Sequence, residues 1–269
     1  MISGDFHIHT AFSADSEADV HAVLNSAIEK GMKTVCITDH WDADYPEKYE
    51  EVLFQFDSEA YVRGLETVKK EYAKKLDVRI GIEIGMQPHL GSFYKELVNQ
   101  YPYDFVIGSV HVIGKDDPYY KDWWDKYTDR QMYQKAFDET LSNLDQIEDF
   151  DVLGHIDYIV RYGRRQEEAY SYERFCDILD EVLKKVIASG RGIELNTSGW
   201  KYGLDFCHPH PDVLRRYREL GGEIITVGSD AHKPEHVAYD FKRAEEVLKL
   251  CGFTYYTQFR NRKPEFLKI

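Results

Sequence analysis

The chain has no C-x-x-C pair. Its four cysteines, Cys36, Cys176, Cys207 and Cys251, are scattered, which excludes a zinc ribbon and a disulfide framework. No apolar run approaches the ~18 residues that a membrane span requires, so no membrane partner is expected. The opening Met-Ile-Ser-Gly-Asp lacks a basic stretch followed by an apolar one, which leaves a cytoplasmic protein as the expectation. Positive charge is scarce as well. With 34 Lys and Arg against 48 Asp and Glu, the formal charge is −14, and such a surface repels an extended nucleic acid. A small anion is still admissible, because bound cations invert the field inside a pocket. No linker, repeat or low-complexity segment interrupts residues 1–269, so one domain is expected.

What is present is a globular composition, 43% apolar and 14% aromatic. Short β-branched runs recur near 5–9, 33–38, 78–84, 104–110, 152–156, 192–196 and 223–229, with a further terminal strand near 253–257. Helical patterns separate them. Val20, Val23, Leu24, Ala27 and Ile28 repeat at helical spacing before Gly31, and Val213, Leu214, Tyr217 and Leu220 do so before Gly221. Sustained strand–helix alternation implies a parallel α/β fold, and about seven units in one chain favour a barrel over an open sheet. Residues 111–150 read as a loop plus helix over one face.

A parallel barrel presents its chemistry at the carboxyl ends of its strands. Those ends read His7-Ile8-His9, Thr38-Asp39-His40, Gly81-Ile82-Glu83, Ser109-Val110-His111, Gly154-His155-Ile156-Asp157 and Gly228-Ser229-Asp230-Ala231-His232. Residues i and i+2 of a strand point the same way, so His7 and His9 can both face the axis. Alone, His-x-His is as often a surface or core pair, and Thr-Asp-His as often caps a helix. Glu83 weighs more, since a buried carboxylate is costly unless it is paired or bound to metal. Imidazole and carboxylate together suit Zn²⁺, Mn²⁺ or Fe²⁺. His21, His89, His208, His210 and His236 fall in helices or loops and are expected to be structural.

These elements, from Asp5-Phe6-His7-Ile8-His9-Thr10 to Gly228-Ser229-Asp230-Ala231-His232, resemble the polymerase and histidinol phosphatase (PHP) superfamily in their order. Glu194-Leu195-Asn196-Thr197-Ser198-Gly199-Trp200-Lys201 is similar to the Asn-Thr-Ser-Gly element of its histidinol-phosphatase branch. The resemblance implies a distorted (β/α)7 barrel, single domain, holding two or three divalent metal ions (Zn, Mn or Fe). It implies His7, His9, Glu83 and Asp230 at a first ion, with Glu83 bridging to a second completed by His111 and His155. Asp15, His40 and His232 would hold the third, and the carboxylate there would favour a harder ion. Glu83, Asp230 and His232 are the residues assigned to the catalytic step.

The implied activity is that of a phosphoric monoester hydrolase acting on L-histidinol phosphate, in histidine biosynthesis. Hydrolysis needs an organised nucleophile and stabilisation of the transferring phosphoryl group, which a metal-bridging hydroxide and the ions themselves would supply. Phosphate oxygens beyond the ions call for fixed cations. Arg161 and Lys201 are the candidates, with Arg164 and Arg165 nearby. Asp39 and Asp157 could protonate the leaving alkoxide, although orienting a ligand histidine is the commoner task. Asp42, Asp44, Asp116 and Asp117 are available to a substrate ammonium, with no assignment among them. Three other readings remain: a phosphoesterase of the same superfamily acting on nucleotides or short oligonucleotides, a noncatalytic metal-binding domain, and an amidohydrolase. The last would require a metal-bridging lysine that the strand ends do not offer.

Overall fold

The computed structural model describes residues 1–46, 48 and 53–269. The first half of the chain forms β1 (Gly4–Asp5), α1 (Val20–Glu29), β2 (Thr34–Ile37), β3 (His40–Trp41), α2 (Ser58–Tyr72), β4 (Asp77–Gly85), α3 (Gly91–Gln100) and β5 (Phe105–Ser109). The second half forms α4 (Lys121–Trp124), α5 (Asp129–Gln146), β6 (Val152–Leu153), α6 (Tyr172–Ala188), β7 (Gly192–Asn196), α7 (Ser198–Lys201), α8 (Pro211–Glu219), β8 (Ile225–Gly228) and α9 (Phe241–Leu250). A hairpin of β9 (Tyr255–Arg260) and β10 (Lys263–Lys268) follows.

Strand order is β1-β2-β4-β5-β6-β7-β8 with every pair parallel, and the short β3 adds to β4. The last strand returns to the first through Phe6 N–H to Val227 O (3.0 Å), His9 N–H to Ala231 O (2.9 Å) and a parallel bridge between Ile8 and Ala231. This is a distorted seven-stranded barrel. Strands β2, β5, β7 and β8 are buried throughout, as expected for parallel strands covered on both faces.

The helices form where the spacing placed them. The Asp19 side chain caps α1 by accepting from Ala22 N–H, and Val23, Leu24 and Ala27 face the core. Gly31, at φ 77°, lets the chain leave α1 in a left-handed conformation that a β-carbon would oppose. In α5 a capping box joins Thr128 and Gln131, and the helix follows a loop within the 111–150 stretch and packs against α6.

Two expectations about strands needed correction. The runs at 5–9 and 152–156 stop pairing after Asp5 and Leu153. Beyond Asp5 the backbone bonds side chains and the β8 end instead, as with Ile8 N–H to Thr38 Oγ1 (3.0 Å), and the histidines turn inward. The terminal strand near 253–257 belongs to an antiparallel hairpin outside the barrel ladder. That hairpin stoppers the amino end of the barrel: Phe259 joins Phe6, Cys36, Phe105, Ile107 and Val152 in an interior cluster separate from the main core. Burying one such phenyl ring is worth about 1.5–3 kcal/mol. Thr257 Oγ1 accepts from Ile225 N–H (3.1 Å), and Arg262 Nε donates to Asp151 (2.6 Å), fixing the stopper in place.

Candidate metal centre

With the amino end filled, the polar strand ends converge at the carboxyl end. His7 and His9 project inward from the segment after β1, while Ile8 between them packs into the core. Glu83 comes from β4, where it pairs in register with His40 of β3. His111 and His155 each lie two residues past a strand, β5 and β6 respectively. Asp230 and His232 follow β8, and Asp230 sits at φ 52°, a strained position that aspartate tolerates better than most residues.

Glu83 is the hub, fully buried, with its two oxygens facing different sets of imidazoles. Oε2 lies 2.9 Å from His40 Nδ1, 3.1 Å from His7 Nε2 and 3.5 Å from His9 Nε2. Oε1 lies 3.1 Å from His155 Nε2 and 3.3 Å from His111 Nε2. Asp230 Oδ1 completes the first group, 3.5 Å from His9 Nε2 and 3.9 Å from His7 Nε2. Asp15 stands at the outer edge, with Oδ2 3.1 Å from His232 Nε2 and 3.8 Å from His40 Nε2. All nine residues singled out as ligands are thus brought together. His40 reaches both Glu83 and the outer Asp15, one ring nitrogen facing each.

The donor set fits divalent ions. His7 Nε2, His9 Nε2, His40 Nδ1 and Glu83 Oε2 are buried close to one another, yet none makes a well-aligned hydrogen bond among the described residues. Four unsatisfied polar atoms converging in one interior would be costly unless a cation receives them. Ligand atoms lie within 4.8 Å of one another in four groups: His7–His9–Asp230, His7–Glu83–His155, His40–Glu83–His111 and His9–His40–His232. The mixed imidazole and carboxylate donors suit Zn²⁺, Mn²⁺ or Fe²⁺.

Charge balance without ions rests on protons. Burial disfavours a charged His7, but the carboxylates of Glu194, Glu83 and Asp230 outweigh it and hold its pKa well above the usual imidazole value. For His40, burial is likewise overcome by Glu83 and Asp15, and its pKa is pushed up to about 9. His9 goes the other way: burial and the neighbouring His232 and His40 hold it well below the usual value. Burial opposes ionisation of Glu83 and Asp230, yet the surrounding histidines keep both carboxyls well below their ordinary range. Incoming cations would displace these protons.

Hydrogen bonds from neighbouring residues set which imidazole nitrogen faces the centre. His7 Nδ1 donates to Glu194 Oε1 (2.7 Å), and Glu194 also accepts from His155 N–H and Asn196 Nδ2, each at 3.1 Å. His111 Nδ1 donates to Asp42 Oδ2 (2.8 Å). His9 Nδ1 meets Ser13 Oγ (3.0 Å), which donates to Asp39 Oδ1 (2.7 Å). Sequence reasoning missed Glu194 and Ser13 in this role, and it took Asp42 for an acid at the mouth. The Glu194 and Asp42 bonds join segments distant in the chain, so nothing local marks them; Ser13 lies only four residues from His9, but the turn that brings its hydroxyl to the ring is not marked by the residue type. Asp39 also accepts from the Thr10 amide and hydroxyl, and Asp157 accepts from Tyr170, His208 and His210 N–H. Asp157 is therefore spent on holding loops, and Asp39 on holding a loop and the Ser13 hydroxyl that meets His9. His208, read as an ordinary loop residue, is fully buried by its bond to Asp157.

Of the basic candidates, Lys201 Nζ donates to Asp230 O (2.6 Å) at the edge of the cluster. Burial lowers its pKa, which the Asp230 carboxylate partly offsets. Arg161 packs its guanidinium over the rings of Tyr202 (4.5 Å) and Tyr162 (4.7 Å). Arg164 and Arg165 pair instead with the exposed Asp125 and Glu168 and do not face the centre.

Comparison with known proteins follows the same residues. The PHP domain model matches residues 5–198. A protein of Clostridium acetobutylicum named probable histidinol-phosphatase is 32% identical over 266 residues, spanning 98% of this chain and 96% of that one. A histidinol-phosphatase of Lactococcus lactis subsp. lactis is 28% identical over 96% of this chain and 95% of its own. The crystal structure of the Lactococcus lactis subsp. lactis histidinol phosphate phosphatase, complexed with zinc, L-histidinol and phosphate, superposes with a TM-score of 0.89 at 26% identity, covering 98% of both chains. A barrel, a histidine–carboxylate centre and a family model spanning most of the strand ends agree, and the chain belongs to the PHP domain family.

Proposed function

We propose that this chain is a metal-dependent phosphatase that hydrolyses L-histidinol phosphate to L-histidinol and inorganic phosphate. The observation that carries the reading is Glu83, whose two oxygens each face a separate set of ring nitrogens. In this reading Glu83 is shared between one site made with His7, His9 and Asp230 and another made with His111 and His155, while Asp15, His40 and His232 form a third. Bound there, divalent ions supply Lewis acidity toward phosphoryl oxygens and lower the pKa of coordinated water to roughly 7.

The chain's own residues do the rest. Glu194, Asp42 and the Ser13–Asp39 pair hold Nδ1 of His7, His111 and His9, which leaves each Nε2 lone pair aimed inward. Glu83 and Asp230 stay ionised and offset the charge of the cations they hold. In this reading Lys201, bonded to Asp230 O, and Arg161 would receive phosphate oxygens. Arg161 can do so through its planar fork, already oriented by two tyrosine rings. Burial of the histidines keeps bulk water from competing for the same donors.

The relatives named histidinol-phosphatase, and the solved one that holds L-histidinol and phosphate, support this substrate. The formal charge of −14 disfavours long nucleic acids. Steady-state turnover of L-histidinol phosphate, AMP and short oligonucleotides by one metal-loaded preparation tests the reading. A clear preference for L-histidinol phosphate is expected; preference for a nucleotide would overturn it. Among the described residues no helix is long and apolar enough to cross a membrane.

A further inference from the structure

We infer that Ser13 is a positioning residue for two metal ligands at once, its one hydroxyl oxygen orienting the His9 ring and fixing the backbone of His40. This role rests on the three-site reading given under the proposed function and deepens it. In that reading His9 serves the first ion and His40 the third, so a single oxygen that is not itself a ligand would govern two sites and leave the second alone.

A tight turn brings Ser13 to both ligands. Ser13 N–H donates to Thr10 O (2.9 Å), which folds the segment after His9 back on itself and leaves the serine buried. Asp39 ties this turn to the segment after β2. It accepts from the Thr10 amide (2.6 Å), the Thr10 hydroxyl (2.8 Å) and Ser13 Oγ (2.7 Å). His40, the next residue, donates its N–H to the same Ser13 oxygen (3.0 Å), and His9 Nδ1 lies 3.0 Å from it.

A hydroxyl has one proton and two lone pairs, and here all three are used. The proton goes to Asp39 Oδ1, because a carboxylate only accepts. One lone pair receives the His40 N–H, because a backbone amide only donates. The other faces His9 Nδ1, which therefore carries its hydrogen and leaves the Nε2 lone pair free for an ion. His7 and His111 have a carboxylate at the corresponding nitrogen, Glu194 and Asp42, and each of those holds one ligand ring. Ser13 instead locks one ligand by its side chain and another by its backbone. The consequence spreads through stacked rings: His9 lies 4.2 Å from His40 and 4.1 Å from His232 between centroids. His9 also groups with His7 and Asp230 on one side and with His40 and His232 on the other, so a tilt of its ring is felt in both groups.

The test compares wild type, Ser13→Ala and Thr10→Val as full-length proteins in limiting Zn²⁺. Anomalous diffraction reads the occupancy of each site, and competition with a chromophoric chelator reads the affinity. Ser13→Ala should lose zinc beside His9 and beside His40, with affinity there down about 10–100-fold, the usual cost of losing a partner that orients a ligand. The ion beside Glu83 Oε1, His111 and His155 should remain. Thr10→Val removes another bond between the same turn and the same carboxylate but touches neither ligand, so its zinc binding should match wild type. Wild-type occupancy at every site in Ser13→Ala, equal loss at every site, or the same loss in Thr10→Val would overturn the Ser13 role alone. A wild type that binds no zinc at Glu83 would overturn the three-site reading and this role with it.

Discussion

Replacing Glu194 by glutamine tests whether a residue outside the cluster controls it. The substitution is isosteric at a buried position, so it opens no cavity. Glu194 accepts three hydrogen bonds, from His7 Nδ1 at 2.7 Å and from His155 N–H and Asn196 Nδ2 at 3.1 Å each. A carboxamide can accept through its oxygen only. If that oxygen keeps His7, its NH₂ group turns toward two donors; if it turns to them, His7 loses the acceptor that fixes its ring. Loss of such an orienting partner typically costs about 10–100-fold in metal affinity or activity, or about 1.4–2.8 kcal/mol at about 1.4 kcal/mol per tenfold. Competition of Glu194→Gln and wild type for Zn²⁺ against a chromophoric chelator measures the affinity, and a thermal melt of the metal-free proteins checks the fold. The expected outcome is weakened binding with activity recovered at raised Zn²⁺. Metal affinity and kcat/KM within twofold of wild type would refute the reasoning.

Glu83→Gln removes the shared carboxylate, and at least two ions should bind too weakly to survive gel filtration, with kcat down by more than about 10³-fold. Elemental analysis of the eluted protein reads the first effect and phosphate release the second. Arg161→Lys keeps the charge but loses the planar fork, so kcat/KM for L-histidinol phosphate should fall about 10-fold or more while metal content holds; an unaltered kcat/KM would remove Arg161 from phosphate binding. Without metal, His40 titrates at about 9 against an unfolded value of ~6.5. A raised pKa adds stability that is fully present below the unfolded value and lost as pH rises through the folded one. The melting temperature of the metal-free protein should therefore fall between about pH 6.5 and 9, and Zn²⁺ should abolish the fall by displacing the protons. A flat or rising profile in that window would contradict the charge balance described.

The chemistry was legible in the sequence where it obeyed a local rule. His7 and His9 share a side because side chains alternate along an extended segment, and the polar residues at the other strand ends followed from the barrel. Glu83 was legible as a carboxylate with no local reason to be buried. Hydrogen bonds between distant segments were not legible: Asp42 to His111 spans 69 positions and Glu194 to His7 spans 187. Asp42 looked like one more surface acid in a chain rich in them, and it is buried. The hairpin that stoppers the barrel was read as a single strand, because its turn at Asn261 and Arg262 takes positive φ at both positions without the usual glycine. His208 looked like a loop histidine until the fold brought Asp157 to it.

Diffraction from zinc-loaded crystals, with anomalous differences collected at the zinc edge, tests the central claim most directly. The account expects two or three peaks per chain, one beside Glu83 Oε2 with His7, His9 and Asp230 and one beside Oε1 with His111 and His155. A single peak, or ions that avoid Glu83, would contradict it.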